Sequence, residues 1–296
     1  MLIRVVGPIG LFALACSLVL GAQDLPIFQK QVDVWTARVI PTAAPNDEAL
    51  ELIANGPLGR ERRAQLPLLI RAIEDVVLSP GGKFILVDKD AGAQHLAIIP
   101  VSPQQPNDLI VSYQYAISPD RRFVAFRKHF PRFGFLSDSA VYLAYDTTLS
   151  PAANRMEGGW PPPGEFSDRV GWAFYPTENR GGSYEPIGDT RHHLASPLTW
   201  ADAHRLVFVD YSEGTSRLVL ADFSRGVSSS IITERILDTR AIVDTAKVAK
   251  DIDPASTIVA ESLVPVLLPG GALEVRVLFR VSPVTPYKVS DVTVRF

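Results

Sequence analysis

The chain of 296 residues reads as a mainly β protein made of repeating units about 40 residues long. Three observations carry that reading. A phrase recurs as Ser79-Pro80-Gly81-Gly82-Lys83-Phe84-Ile85-Leu86-Val87, as Ser118-Pro119-Asp120-Arg121-Arg122-Phe123-Val124-Ala125-Phe126, and more loosely as Trp200-Ala201-Asp202-Ala203-His204-Arg205-Leu206-Val207-Phe208. The copies start 39 and then 82 residues apart, the second step being twice 41. Each copy leads from a turn into an apolar run, and a second run ending in a polar residue follows, Val141 to Asp146 after one copy and Arg217 to Asp222 after the next. Finally, 24 prolines imply many turns and few long helices. One turn-and-strand unit cannot bury both its faces alone, so such units stack.

Taken in order, the chain opens with Arg4 before an apolar run from Val5 to Ala22, and Gly21-Ala22 precedes the polar Gln23-Asp24. That is the layout of a secretory signal peptide, residues 1–22, with an uncleaved anchor as its rival. Cys16, the single cysteine, sits inside this segment, and Ala13 stands where a lipoprotein signal carries Leu. Cleavage after Ala22 would leave no thiol, no membrane span and a periplasmic or extracellular product.

Residues 23–76 are expected to hold one strand and a small helical part. Gln31 to Ile40 alternates apolar and polar residues, as a half-buried strand does. Asn46 suits a helix N-cap, Leu50, Ile53 and Ala54 share a helical face, and Gly56-Pro57 is a stop signal. A second helix is expected over Pro67 to Val76, on the spacing of Leu66, Ile70 and Ile73.

From residue 77 to 296 the pattern is almost wholly β. Phe84 to Val87, Leu96 to Ile99, Leu109 to Tyr115, Phe123 to Phe126, Val141 to Tyr145, Leu206 to Val209 and Leu218 to Ala221 are short apolar runs of strand-forming residues. Leu273 to Val281 and Val289 to Phe296 continue the series. A copy expected near residue 159 is missing, with Arg169 to Tyr175 as a degenerate strand in its place.

The Ser118-Pro119-Asp120 phrase, with its following arginine, aromatic and apolar residues, resembles the β-propeller repeat of TolB-like and WD-repeat-like proteins, tricorn-type proteases and prolyl oligopeptidase propellers. The resemblance covers about residues 77–223. Gly81 replaces the Asp in the first copy, and the third lacks Ser-Pro. It implies a propeller-like stack of antiparallel blades; the length from residue 77 to 296 divided by the 40-residue period gives five or six of them, closed if the strand near Val32 to Ile40 pairs with the carboxy-terminal one. An irregular β-sandwich is the alternative fold. By resemblance the function is non-catalytic binding or scaffolding in the bacterial envelope.

Candidate contact residues lie in the irregular stretch from Asn154 to Ser196, since long loops on a rigid sheet carry binding function. They are Trp160, Trp172, Tyr175, Tyr184, Arg191, His192 and His193. Aromatics with arginine suit a protein, peptide or glycan partner.

Other chemistry is poorly supplied. Asp189 with His192-His193 is the one local hint of metal, but adjacent strand residues face opposite ways and no ligand-type spacing occurs, so neither metal nor cofactor is expected. No Gly-x-Ser-x-Gly elbow occurs. Gly81-Gly82-Lys83 lacks the rest of a phosphate loop, and Ser118-x-Asp120 lacks the Gly and Trp of an aspartate box. The acid pairs Glu165 and Asp168, Asp202 and Asp210, and Asp251 and Asp253 keep a rival reading open: a secreted glycosidase or peptidase with acids and histidines at a channel mouth. A net charge of −3, with both signs dispersed, argues against a nucleic-acid partner.

Overall fold

In a computed structural model of the protein, the described residues are 25–42, 49–89, 94–112, 114–131, 138–155, 170–176, 196–212, 215–237, 257–282 and 289–296. They form five antiparallel sheets, each a meander in chain order. Blade 1 holds β1 (Phe28–Val32), β2 (Trp35–Pro41), β3 (Leu50–Asn55) and β4 (Glu61–Gln65). Blade 2 holds β5 (Ile73–Leu78), β6 (Lys83–Lys89), β7 (Gln94–Pro100) and β8 (Asp108–Ser112). Blade 3 holds β9 (Gln114–Ile117), β10 (Phe123–Pro131), β11 (Asp138–Asp146) and β12 (Trp172–Pro176). Blade 4 holds β13 (Thr199–Trp200), β14 (Arg205–Ser212), β15 (Thr215–Asp222) and β16 (Ile231–Leu237). Blade 5 has three strands, β17 (Thr257–Leu267), β18 (Leu273–Ser282) and β19 (Val289–Arg295).

Successive blades stack face to face through buried apolar residues. Trp35, Val39, Leu52, Phe84 and Leu86 join blades 1 and 2, with the Trp35 ring edge-on to Phe84 at 5.5 Å. Ile85, Ile98, Phe126 and Leu143 join blades 2 and 3. An aromatic cluster of Phe123, Tyr142, Phe174, Tyr175, Phe208 and Phe223 joins blades 3 and 4, and Val209, Leu218, Val275 and Phe279 join blades 4 and 5. The strands between two such cores, such as Phe84 to Val87, are apolar at every position because both their faces are covered. First strands lie beside first strands, β1 by β5, β9 by β13 and β13 by β17, so they form the inner row of a propeller-like stack.

The sequence phrase is the turn between the first and second strands of a blade. In blades 2 and 3 it closes in the same way: the Gly82 N–H donates to the Ser79 carbonyl and the Arg121 N–H to the Ser118 carbonyl. Leu268-Pro269-Gly270-Gly271 repeats that bond in blade 5, where the Gly271 N–H donates to the Leu268 carbonyl. Blade 1 uses a two-residue version, Asp33-Val34, between the paired Val32 and Trp35.

Five expectations are corrected. The helix expected from Asn46 is, over its described part, strand β3, and Leu50, Leu52 and Ala54 pack inward at period two. Pairing with β2 and β4 on either side satisfies its backbone, and this outweighs a helical spacing that three residues happened to match. The second expected helix is a turn leading into β5, held by the buried Asp88 carboxylate, which accepts the Arg71 and Ala72 N–H groups. The boundary at residue 76 therefore falls inside a strand of blade 2. The strand expected over Gln31 to Ile40 is the β1–β2 hairpin, and among the described residues neither of its strands pairs with a carboxy-terminal one. Among the described residues no apolar cluster joins blade 5 to blade 1. Among the described residues the 82-residue step holds no extra blade: β12 is the fourth strand of blade 3, and blade 4 follows it.

Candidate functional site

Alternating strand direction sorts the connections between two ends of the stack. First-to-second turns and third-to-fourth connections share one end, called here the turn end. That end carries a concentration of strained backbone.

Among the described residues, the non-glycine residues with positive φ are Asp33 (52°), Leu58 (59°) and Arg121 (63°), and all three lie at the turn end. Arg121 occupies the turn position that is Gly82 in blade 2, φ 66°, and Gly271 in blade 5, φ 86°. Leu58 lies in the one-turn 3-10 helix Pro57–Gly59 between β3 and β4, and its side chain is 97% exposed. A left-handed conformation costs an L-residue such as Leu58 or Arg121 roughly 1–2 kcal/mol, and an aspartate such as Asp33 less. An exposed Leu recovers none of that by packing.

Arg121 and Asp33 meet across the stack, from blade 3 to blade 1, with Arg121 Nη1 3.3 Å from Asp33 Oδ2 and both side chains nearly half exposed. The next arginine behaves differently. Arg122 Nη2 lies 2.9 Å from Asp146 Oδ2, its Nε reaches both carboxylate oxygens, and its guanidinium stacks over the Phe123 ring. Arg122 therefore belongs to the framework, whereas Arg121 makes one long exposed contact. Val34, beside Asp33, is 62% exposed. Leu58 follows Gly56, where the Trp35 ring leaves no room for a Cβ, so the two hairpin tips of blade 1 are pressed together.

The same end carries the base of the connection between β11 and β12. Asp146 N–H donates to Asn154 Oδ1, and Asn154 Nδ2 returns a bond to the Asp146 carbonyl, so the side chain pairs like a strand backbone. Arg155 and Val170 form an antiparallel bridge, the Gly171 N–H donates to the Asn154 carbonyl, and the Trp172 indole N–H donates to the Ala153 carbonyl. Arg155 also pairs with the buried Asp108 of blade 2 at 2.7 Å, and the Tyr145 hydroxyl donates to the same carboxylate at 2.8 Å. Burial first, and then the Asp108 charge, push the Tyr145 phenol far above its usual range, so it remains a donor. Lys83 is buried alongside, its ammonium on the Leu149 carbonyl and over the Tyr145 ring; burial lowers its pKa against the pull of Asp108 and Asp146. Thr147 ties this base to the phrase turn through its bonds to the Arg121 and Arg122 carbonyls.

The residues expected from sequence are spread more widely than a single site. Trp160 belongs to residues 156–169, which leave the base just described. Tyr184, Arg191, His192 and His193 belong to residues 177–195, which follow the other end of β12. All five lie outside the described residues, as do Asp189, Glu165, Asp168, Asp251 and Asp253. Trp172 is half-buried at the base, and Tyr175 is buried in the aromatic cluster against Tyr142 and Phe208. Tyr175 thus packs in the core instead of facing a ligand. Asp202 and Asp210 do not converge. Asp202 caps the β13–β14 turn by accepting the His204 and Arg205 N–H groups and the Arg205 guanidinium, while Asp210 is buried beneath the Tyr142 hydroxyl at 2.9 Å. Among the described residues no group of three or more His, Cys, Asp and Glu is placed to hold a metal ion, and no helix is long and apolar enough to cross a membrane.

Asp33, Val34, Leu58 and Arg121 were not expected from the sequence. One signal was available for Arg121: aligning the phrase copies sets it against Gly82. Nothing comparable marks Leu58.

No family model matches the chain, and no curated protein sequence matches it. Among solved structures, the tricorn protease is similar over 88% of this chain and 25% of its own, at 11% identity and TM-score 0.34. The acylaminoacyl peptidase of Pyrococcus horikoshii is similar over 90% of this chain and 45% of its own, at 10% identity and TM-score 0.27. The chain thus spans less than half the length of either. Both scores are low, and the blade assignment rests on strand order and the shared turn.

Proposed function

We propose that the protein is an exported recognition module whose contact surface is the turn end of the stack. The observation that carries this reading is the placement at that end of Asp33, Leu58 and Arg121, three non-glycine residues with positive φ. Strain kept at exposed positions, where glycine would fit and does fit in two sister turns, is retained for contact and not for the fold. The pinned base at Asn154, Arg155 and Trp172 lies at the same end and gives that surface a rigid support. The signal-like residues 1–22 and the TolB-like phrase favour a protein, peptide or glycan partner in the cell envelope.

The test is incubation of the purified protein with a defined peptide mixture, followed by mass spectrometry of the retained and the free fractions. Recognition predicts peptides retained intact and lost with Leu58→Asp. Cleaved peptides would overturn the reading in favour of a hydrolase, the activity named for the two similar structures. Retention insensitive to Leu58→Asp would remove the turn end as the surface.

A further inference from the structure

We infer that Arg121 is a carboxylate clamp for an acidic peptide, and that Asp33 occupies its place as an internal stand-in until the ligand arrives. The inference rests on the turn end being the contact surface and names what that surface takes.

The first step is an energy comparison. Holding Arg121 at φ 63° costs roughly 1–2 kcal/mol. Its exposed contact with Asp33 returns about 0–1 kcal/mol. The fold therefore gains little or nothing from an arginine here, and Gly82 and Gly271 show the residue that the turn itself prefers. The neighbouring Arg122, whose Nε and Nη2 meet Oδ2 of the buried Asp146 at 3.2 and 2.9 Å, shows what this chain does with an arginine meant for the framework.

The second step is chemical. A guanidinium presents a fork of N–H donors that matches a carboxylate, and the Asp33 contact is single and 3.3 Å long. A carboxylate that meets two donors at once makes the stronger charge-assisted pair and displaces it. Asp33 has the right group for a stand-in and the wrong reach for a full partner, since it sits at a two-residue hairpin tip on another blade. Val34, on the same tip, and Leu58, on the adjoining one, place exposed aliphatic surface beside the clamp. The ligand that fits this pairing carries a carboxylate next to an aliphatic side chain. An acidic peptide segment and a peptide's terminal carboxylate share that chemistry.

The experiment uses the full chain and an array of defined dodecapeptides. Each is presented as free acid and as amide, and with Asp and Glu replaced by Asn and Gln. The wild type is expected to prefer peptides with an acid beside Leu, Val or Ile. Arg121→Gly keeps the backbone relaxed and is expected to weaken these at least tenfold, while Asp33→Asn removes the competitor and is expected to strengthen them severalfold. Loss on amidation identifies the terminal carboxylate as the source, and loss on Asn or Gln replacement identifies the side chain. Peptides that bind, depend on Leu58 and ignore both carboxylate replacement and Arg121→Gly would overturn the clamp while leaving the recognition surface standing. Peptides indifferent to Leu58→Asp as well would overturn both.

Discussion

Replacing Arg121 by glycine and, separately, by alanine separates backbone strain from side-chain contact. Both variants lose the exposed contact with Asp33, worth about 0–1 kcal/mol, so that loss cancels between them. Alanine keeps the penalty of roughly 1–2 kcal/mol for a Cβ at φ 63°. Glycine removes it, at the expense of roughly 0.5–1 kcal/mol of extra freedom in the unfolded chain. The glycine variant should therefore be the more stable of the two by about 0.5–1 kcal/mol, reversing the order found at ordinary positions. It should also fall within about 1 kcal/mol of the wild type. Urea midpoints at unchanged slope provide the measurement. Gly82→Ala is the internal control: its site is open to a Cβ but has φ 66°, so it should lose about the same amount as the glycine-to-alanine difference at Arg121. Alanine at 121 as stable as glycine, or more so, would refute the claim that this turn stores strain, and with it the argument that Arg121 is kept for binding.

Three further outcomes follow from the packing. Gly81→Ala should cost more than about 3 kcal/mol or prevent folding, because its Cβ would lie 1.9 Å from the Thr147 carbonyl oxygen, a backbone atom that cannot step aside; a thermal midpoint near that of the wild type would contradict the close approach of blades 2 and 3. Tyr142→Phe should lose about 1–3 kcal/mol, since the buried Asp210 carboxylate forfeits a donor at 2.9 Å, and denaturant melts of the two proteins measure this directly. For Lys83 the sign follows from its lowered pKa: between the folded value and the ordinary 10.5, the unfolded chain binds the extra proton, so stability rises with pH. The stability of the wild type minus that of Lys83→Met should accordingly grow as pH climbs towards 10.5, and a flat difference would show that Lys83 is not desolvated as its place under the Tyr145 ring requires.

Local chemistry alone determined the β content, the turn phrase and the second-strand apolar runs, because these depend on neighbours in sequence: Pro-Gly and Pro-Asp turns, and residues such as Phe84 to Val87 that can only sit between two covered faces. The same reasoning read Leu50 to Asn55 as helix, since Leu50, Ile53 and Ala54 fit one period and Leu50, Leu52 and Ala54 fit the other. Only pairing with β2 and β4 chose between them. Blade number was equally out of reach. The phrase weakens to Asp33-Val34 in blade 1 and to Pro269-Gly270-Gly271 in blade 5, and over the described residues the 82-residue step spans a single blade. The candidate site was the least legible part. Asp33 and Arg121 stand 88 residues apart, and only Arg121 lies in the repeated phrase. Their meeting, and the left-handed backbone that marks them, exist because blades 1 to 3 stack and turn their first hairpin tips toward one end. That is a property of the assembled sheets and of no segment by itself.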